Sequence, residues 1–510
     1  STIIMLVLFF LCVLASPWVG DSIHVFPPSN DNTTFVTREC LLEGELLRPP
    51  ITPKDLHGAS WEEVATRHLI EWLPLQKTTT SRSGFEFTGT HMCPPVTFGS
   101  QQKPAAAASQ QQQQQQQQRS NGGRLLWFTA ITAPEKVDTE RSENYLNGVR
   151  VMVLSAVRNS PGLVPVVIYL GGRKEDCFVS WLTRHGAYVM VVGKLSFMAA
   201  LPASATDHSS ASMANHGAFA ILDMPRFFQQ MWKEHEDALT QLRCDRAYAL
   251  FTDADMLFTG DVDPALKFAS DPAHFPPRLM LVLSERWWPH VVREGFNTAG
   301  YYLNMSAFSA ALPNFLRFAV DKEWKFSEGL RDQGLFNDFF RAYSNSPGPH
   351  RHELADPNVR PQEMHPYFGW RPYGGANLKG RINESGKSGE SRALADLLKE
   401  SLPRYRSDSP RIWHFHGGKI WEMRCYLAEN AMSWERGIQI SASGTSHCHG
   451  IRLTSHKGFM VSSLSNPHIY ISPCALLNYA RLLDYYDALL TGDAAHHEAL
   501  QMKQRGGSGG

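Results

Sequence analysis

The sequence predicts an α/β fold, in which a doubly wound sheet of mixed but mostly parallel strands carries helices on its flanks. From residue 124 onward, apolar strand-like segments alternate with amphipathic helical segments. An acidic turn directly follows one of the buried strands. Because open α/β sheets bind ligands at the carboxyl ends of their strands, we expect a ligand site at that turn.

The predicted elements follow one another at the spacing of β-α-β units. In chain order they are a strand at residues 125–131, a helix at 143–160, a strand at 164–172, a helix at 178–186 that ends at Gly186, and a strand at 187–195. Later strands are expected within residues 246–261, 279–285 and 299–306, a helix from residue 332, and a strand followed by a loop at 411–421.

Composition divides the chain into four regions. Residues 1–20 hold an uninterrupted apolar run, which predicts a signal peptide or a signal anchor, with a buried helix as the alternative. Residues 21–123 include scattered prolines and a glutamine run, and predict a low-complexity stalk or linker with a short docked helix at 61–73. Residues 124–425 form the predicted sheet domain. Residues 426–510 form a C-terminal extension whose glycine-rich tail is predicted to be disordered.

Charge and cysteine usage limit the classes of partner. Lys plus Arg and Asp plus Glu number 49 each, and this zero net charge gives no support to a nucleic-acid partner. None of the eight cysteines forms a CxxC pair, which argues against a zinc ribbon. Sequons at Asn32 and Asn383 fit a lumenal chain. We expect a secretory-pathway protein, either secreted or in the Golgi lumen as a type II membrane protein that contacts the membrane only through its N-terminal segment.

The strongest local signal is FTDADMLF, which contains Asp253 and Asp255. Two carboxylates at i and i+2 after a buried strand emerge at the carboxyl end of that strand. Hard divalent cations such as Mn²⁺ or Mg²⁺ prefer oxygen ligands and are readily shared with phosphates. A solvated acidic turn is the alternative, but carboxylates at the edge of a core are costly without a partner.

The second signal is WHFHGGKIW. His414 can offer a neutral imidazole to a metal, and Lys419 can meet a diphosphate as a point charge. Gly417 and the glycine after it would let the backbone approach the phosphates closely. The alternative is a pair of ordinary loop histidines, which is the better interpretation for His416 alone.

The third signal is GFNTAGYYLN followed downstream by Asp332 and Gln333. Small residues ahead of a strand leave room for a sugar ring, and Asn297, Asp332 and Gln333 supply groups that bind hydroxyls. Taken singly, each of these residues fits a cap or a turn equally well, and Asp is favoured at a helix N-cap.

The order of these motifs resembles the family 8 glycosyltransferases and related nucleotide-diphospho-sugar transferases. The resemblance covers about residues 124–425 and implies a GT-A fold, a UDP-sugar donor, Mn²⁺ and retention of anomeric configuration. It implies that Asp253, Asp255 and His414 bind the metal and that Lys419 binds the diphosphate.

The resemblance also implies roles for residues near the sugar and the base. Asp332 and Gln333 match the family's sugar-facing pair near the reaction centre. Thr129 and Ala130, at the end of the strand at 125–131, match the nucleotide-base pocket. Residues 124–425 would then be a GT-A glycosyltransferase domain.

Three departures from the family pattern stand out. The final motif of the family is HxxGxxKPW, whereas here one residue is missing between Gly417 and Lys419, and Ile420 replaces the proline. Ile221 stands where a family helix usually carries a basic residue. FNTAG has one residue more than the common FNSG, which affects the alignment of Asn297.

The sequence therefore predicts a metal-dependent transferase that moves a hexosyl or pentosyl group from a UDP-sugar to a glycan or glycoprotein. The alternative is a catalytically inactive lumenal sugar- or protein-binding module of the same fold, which Ile221 and the irregular final motif favour. A glycoside hydrolase would need two carboxylates about 5 to 9 Å apart without a metal, and the i, i+2 pair fits metal binding better.

Overall fold

The alternating strands and helices predicted from residue 124 onward are present. The computed structural model describes residues 23–28, 61, 63–64, 123–134, 140–197, 217, 219–262, 266, 280–284, 296–326, 332–345, 362–363, 369, 410–415, 419–421, 423–424, 427, 452–453, 459–463, 466–471, 478–490 and 492. Its strands are β1 (Ile23–Phe26), β2 (Arg124–Thr132), β3 (Leu163–Leu170), β4 (Tyr188–Val192), β5 (Cys244–Thr252), β6 (Met256–Phe258), β7 (Met280–Ser284), β8 (Phe296–Asn304), β9 (Gln362–Glu363), β10 (Ile412–His414), β11 (Arg452–Leu453), β12 (Phe459–Ser463) and β13 (Asn466–Ile471).

Helices flank these strands. They are α1 (Glu140–Asn159), α2 (Cys177–Arg184), α3 (Met224–Gln241), α4 (Met305–Asp321) and α5 (Asp332–Asn345), with a 3-10 helix at Phe219–Asp223. Residues 478–490 are also helical. α2 ends where the sequence predicts, because Gly186 has a φ of 87° and glycine adopts this conformation at no steric cost. Among the described helices, none has the length and apolar content needed to cross a bilayer.

The main sheet confirms the predicted mixed, mostly parallel architecture. Its eight strands have the order β1-β4-β3-β2-β5-β8-β7-β9. The central pairs β3-β4, β2-β3 and β2-β5 are parallel, whereas β1-β4, β5-β8 and β7-β8 are antiparallel. Every residue of β3 and β4 is buried, as expected for parallel strands that are covered on both faces.

Two apolar layers cover the sheet, so it is doubly wound. On one face Phe128 packs with Phe227 of α3 and Phe315 of α4, and on the other Trp127 packs with Met152 of α1 and Leu182 of α2. Burial of one such side chain stabilises the fold by about 1.5–3 kcal/mol. These layers fix the sheet and place the carboxyl ends of β2 and β5 side by side, where Thr129 lies opposite Thr252.

Two described pieces of the predicted stalk pack on the globular part. β1 extends the sheet by pairing with β4, with Ile23 opposite Val192. Trp61, within the predicted docked helix, is helical and fully buried. The segment at 1–20, the glutamine run, the two sequons and the tail lie outside the described residues.

Candidate functional site

Asp253 and Asp255 lie between two buried strands. The last four residues of β5 are buried, and all three residues of β6 are buried. The N–H of Asp253 donates to the carbonyl oxygen of Ala299 at 2.7 Å, which ties the acidic turn to β8. The turn is therefore held at the carboxyl end of β5, as predicted.

Strand pairing brings His414 to this turn. β10 pairs antiparallel with β6, so that His414 lies opposite Met256, the residue after Asp255. The N–H of Phe415 donates to the carbonyl oxygen of Asp255 at 3.0 Å. One ligand atom from each of Asp253, Asp255 and His414 lies within 4.8 Å of the others. The structure thus brings together the three predicted metal ligands.

Lys419 completes the charge pattern by forming an ion pair with Oδ2 of Asp255. Nε2 of His414 lies 3.5 Å from Oδ1 of Asp255, which itself receives no hydrogen bond from any described residue. Burial acts to raise the pKa of Asp255, but the charges of Lys419 and His414 outweigh it and hold that pKa below its usual value. Oδ1 of Asp255, buried without a described donor, fits a cation ligand.

The position of Lys419 is fixed by a short helical turn and by the packing of Trp421 against α1. The N–H of Met423 donates to the carbonyl oxygen of Lys419 at 3.1 Å. The ring of Trp421 lies against Gly148 of α1, where an added Cβ would lie 2.7 Å from the ring. Its centroid is 4.9 Å from that of Tyr145. Lys419 thus reaches Asp255 despite the missing residue in the motif, while His416 and Gly417 lie outside the described residues.

Asp332 is buried at the start of α5, with 5% of its surface exposed. The hydroxyl of Tyr301 in β8 donates to Oδ2 of Asp332 at 2.7 Å. Burial, together with the charge of Asp332, raises the pKa of Tyr301 well above its usual value. Sequence reasoning missed Tyr301, because in an apolar strand a tyrosine resembles any other core residue. Gln333 follows Asp332 and is half-buried.

Removal of this hydroxyl tests how Asp332 is held. We expect Tyr301→Phe to lower the free energy of unfolding by about 1–3 kcal/mol, because a buried carboxylate loses a donor. Tyr302→Phe is the control, because it removes a hydroxyl from the next residue of β8 and keeps the ring that stacks on Tyr248 with centroids 5.2 Å apart. Urea denaturation of both variants measures the difference, and equal losses would contradict the predicted role of the Tyr301 hydroxyl.

The remaining predicted site residues, Asn297, Thr129 and Ala130, are buried or half-buried in strands β8 and β2. Oδ1 of Asn297 accepts the N–H of Ala299 at 2.8 Å, beside a register shift between β7 and β8. Thr129 is 1% exposed, and its hydroxyl has no hydrogen-bond partner among the described residues, whereas Ala130 is half-buried. Ile221 is fully buried in the core. The catalytic role of Asn297 and the base contacts of Thr129 and Ala130 stay predictions.

Comparisons with known proteins identify structural neighbours only. No protein-family model and no curated protein matches the sequence. The glycosyltransferase GlyE of Streptococcus pneumoniae is 12% identical with a TM-score of 0.32, and the match covers 62% of this chain and 64% of that chain. Mouse xyloside xylosyltransferase 1 is 14% identical with a TM-score of 0.32, covering 58% and 97%.

A third neighbour is the galactosyltransferase LgtC, solved with donor and acceptor sugar analogues. It is 13% identical with a TM-score of 0.34, and the match covers 62% of this chain and all of that chain. This chain is thus similar in structure to several glycosyltransferases, while its fold class follows from its own strand order and packing.

Proposed function

We propose that this chain is a metal-dependent glycosyltransferase that moves a hexosyl or pentosyl group from a UDP-sugar to a glycan or glycoprotein, with retention of configuration. The observation that supports it best is the meeting of Asp253, Asp255 and His414 with Lys419 at the carboxyl end of β5. The two carboxylates and the imidazole can bind a metal ion, and the ammonium of Lys419 beside them can contact a diphosphate.

The residues present fit a divalent cation. Carboxylate oxygens and an imidazole nitrogen suit Mn²⁺, and Mg²⁺ is the alternative. Oδ1 of Asp255 is buried without a described donor, and a metal ion would satisfy it. When bound, the cation would supply Lewis-acid stabilisation of the negative charge on the departing diphosphate.

The side chains of the protein supply the rest of the proposed chemistry. Lys419 would place a positive charge beside the diphosphate, where an ammonium acts as a point charge. Asp332 is the one carboxylate that we would test as a nucleophile or as a contact to the donor sugar. The hydroxyl of Tyr301 fixes the carboxylate of Asp332 by the 2.7 Å hydrogen bond, so that this carboxylate needs little reorganisation when a sugar binds.

We further propose that the protein acts in the secretory pathway, secreted or as a type II membrane protein of the Golgi lumen. The apolar run from Ile3 to Ala15 supports entry into this pathway. Cys177 is disulfide-bonded, which supports an oxidising compartment.

A thermal-shift measurement on the full chain tests the proposed function. We expect UDP to raise the melting temperature only when Mn²⁺ is present, because a ligand that binds the native state stabilises it by about 2.7 kcal/mol at 100 times its Kd. Screening UDP-sugars in the same way identifies the donor. A shift that does not require a metal would favour the non-catalytic binding module, and no shift with any UDP-sugar would refute the proposal.

A further inference from the structure

Helix 478–490 lies outside the predicted catalytic region at 124–425, yet it contacts both flanks of the segment that carries His414 and Lys419. On the His414 side, the ring of Phe415 lies 5.9 Å from that of Tyr479, measured between centroids. Phe415 and Tyr479 are both buried, at 3% and 0% exposure. The residue directly after His414 is thus packed on this helix.

The Lys419 flank is joined to the same helix by a buried ion pair. Arg424, five residues beyond Lys419, pairs with Oδ1 of Asp487. The two side chains are 5% and 8% exposed. Nε1 of Trp61 donates to Oδ2 of Asp487 at 2.9 Å, and its backbone N–H donates to Asp484 at 3.0 Å. Three distant parts of the chain therefore meet at one carboxylate.

The side chain of Asn159, at the end of α1, bridges helix 478–490 and β6, the strand that follows the acidic turn. Nδ2 of Asn159 donates to the hydroxyl of Tyr485 at 2.7 Å and to the carbonyl oxygen of Phe258 at 2.9 Å. Phe258 belongs to β6, the strand that pairs with β10. The helix is thus linked to both sides of the metal-ligand cluster.

The carboxylate of Asp487 is costly to bury. Burial raises its pKa, and the charge of Arg424 and the hydrogen bond from Trp61 act against this. A buried ion pair contributes little net stability compared with apolar packing, and its best-supported use is to specify one arrangement of the elements it joins. Here the elements joined are the Lys419 turn and helix 478–490.

We propose that Arg424, Asp487 and Trp61 form a positioning cluster that holds helix 478–490 against Phe415 and so fixes the neighbouring ligand His414 beside Asp255. Helix 478–490 is then part of the catalytic unit rather than an appendage. The inference rests on the proposed function of the Asp253–Asp255–His414 site. None of the three residues is a catalytic residue, because they act through the segment at 414–424.

The Mn²⁺ affinity of the Asp487→Asn variant tests this role. The signal of free Mn²⁺ in electron paramagnetic resonance gives the Kd of the full chain for Mn²⁺. It is measured at a temperature well below the melting temperature, where the protein is folded. We expect a roughly 10-fold weaker Kd, as found when a group that orients metal ligands is lost. Asp223→Asn is the matched control, because Asp223 is also buried and pairs with Arg226 at 2.9 Å. It should lower the melting temperature without changing the Kd for Mn²⁺.

The outcomes separate the two proposals. A folded Asp487→Asn variant that binds Mn²⁺ as tightly as the unmodified chain would overturn the positioning role and leave the proposed function intact. Lack of Mn²⁺ binding by the unmodified chain would refute the proposed function, and the positioning role with it. If Asp487→Asn does not fold, Trp61→Phe removes only the indole donor, and an unchanged Kd in that variant would overturn the positioning role.

Discussion

Asp255→Asn should weaken Mn²⁺ binding by roughly 100-fold or more, because it removes a charged ligand. Loss of a group that only orients a ligand already weakens metal affinity by about 10–100-fold. Asparagine has the same size but cannot carry the negative charge. The substitution relieves the burial cost of the carboxylate but leaves the ammonium of Lys419 without its partner, which destabilises the fold. We therefore expect metal binding to be lost and the melting temperature to fall, so affinities are compared at a temperature where both variants are folded.

Asp245→Asn is the control for this loss. Asp245 lies near the other end of β5, where Oδ1 accepts the N–H groups of Ala247 and Tyr248 at 2.7 and 3.0 Å. Asparagine keeps that oxygen, so the variant loses a carboxylate at the opposite end of β5 with no change at the site. Isothermal titration with Mn²⁺ compares the two variants. Equal affinities in both would show that Asp255 is not a metal ligand.

The fold was predictable from the sequence where the hydrophobic pattern or a glycine in a segment is compatible with one kind of secondary structure. β3 and β4 are continuous apolar runs, and Gly186 ends α2 because a left-handed residue is needed there. α4 was not predicted, because the expected strand at 299–306 runs into it without a break in hydrophobicity. Its only local signal is Asn304, whose side chain accepts the N–H of Ala307 at 3.1 Å as an N-cap.

β1 was missed for a different reason. Four residues are too few to show an alternating pattern, and this strand is defined by its pairing with β4 rather than by its own sequence. For Trp61, a docked helix was predicted but its partners were not, because Asp484 and Asp487 lie more than 400 residues away in the chain. Tertiary contacts of this range leave no local signal.

The candidate site was predictable in its residue types but not in its assembly. Asp253, Asp255 and His414 stand out because polar groups follow buried strands. Their meeting depends on the pairing of β6 with β10, which the order of the motifs does not specify. Tyr301 and helix 478–490 were not predicted, since nothing in an apolar strand or a distant helix indicates contact with this site.

Lys419→Met should have opposite effects on the two proposed ligands. The ammonium of Lys419 contacts Oδ2 of Asp255 and donates to the carbonyl oxygen of Phe415 at 3.2 Å. It competes with a divalent cation for the same carboxylate, and like charges at a distance of a few Å repel strongly near a protein interior. Methionine keeps the length of the side chain, so the Kd for Mn²⁺ should tighten by roughly 10-fold once this repulsion is removed.

The affinity for UDP should fall in the same variant. A charge-assisted hydrogen bond to a phosphate contributes about 1.5–3 kcal/mol, so the loss at saturating Mn²⁺ should be about 10-fold to 100-fold. Lys325→Met is the control, because Lys325 also forms an ion pair, at 2.6 Å with Glu323, but is 77% exposed. Titration calorimetry measures both affinities. If the two fell together, the variant would have damaged the fold, and if UDP affinity were unchanged, Lys419 would not contact the diphosphate.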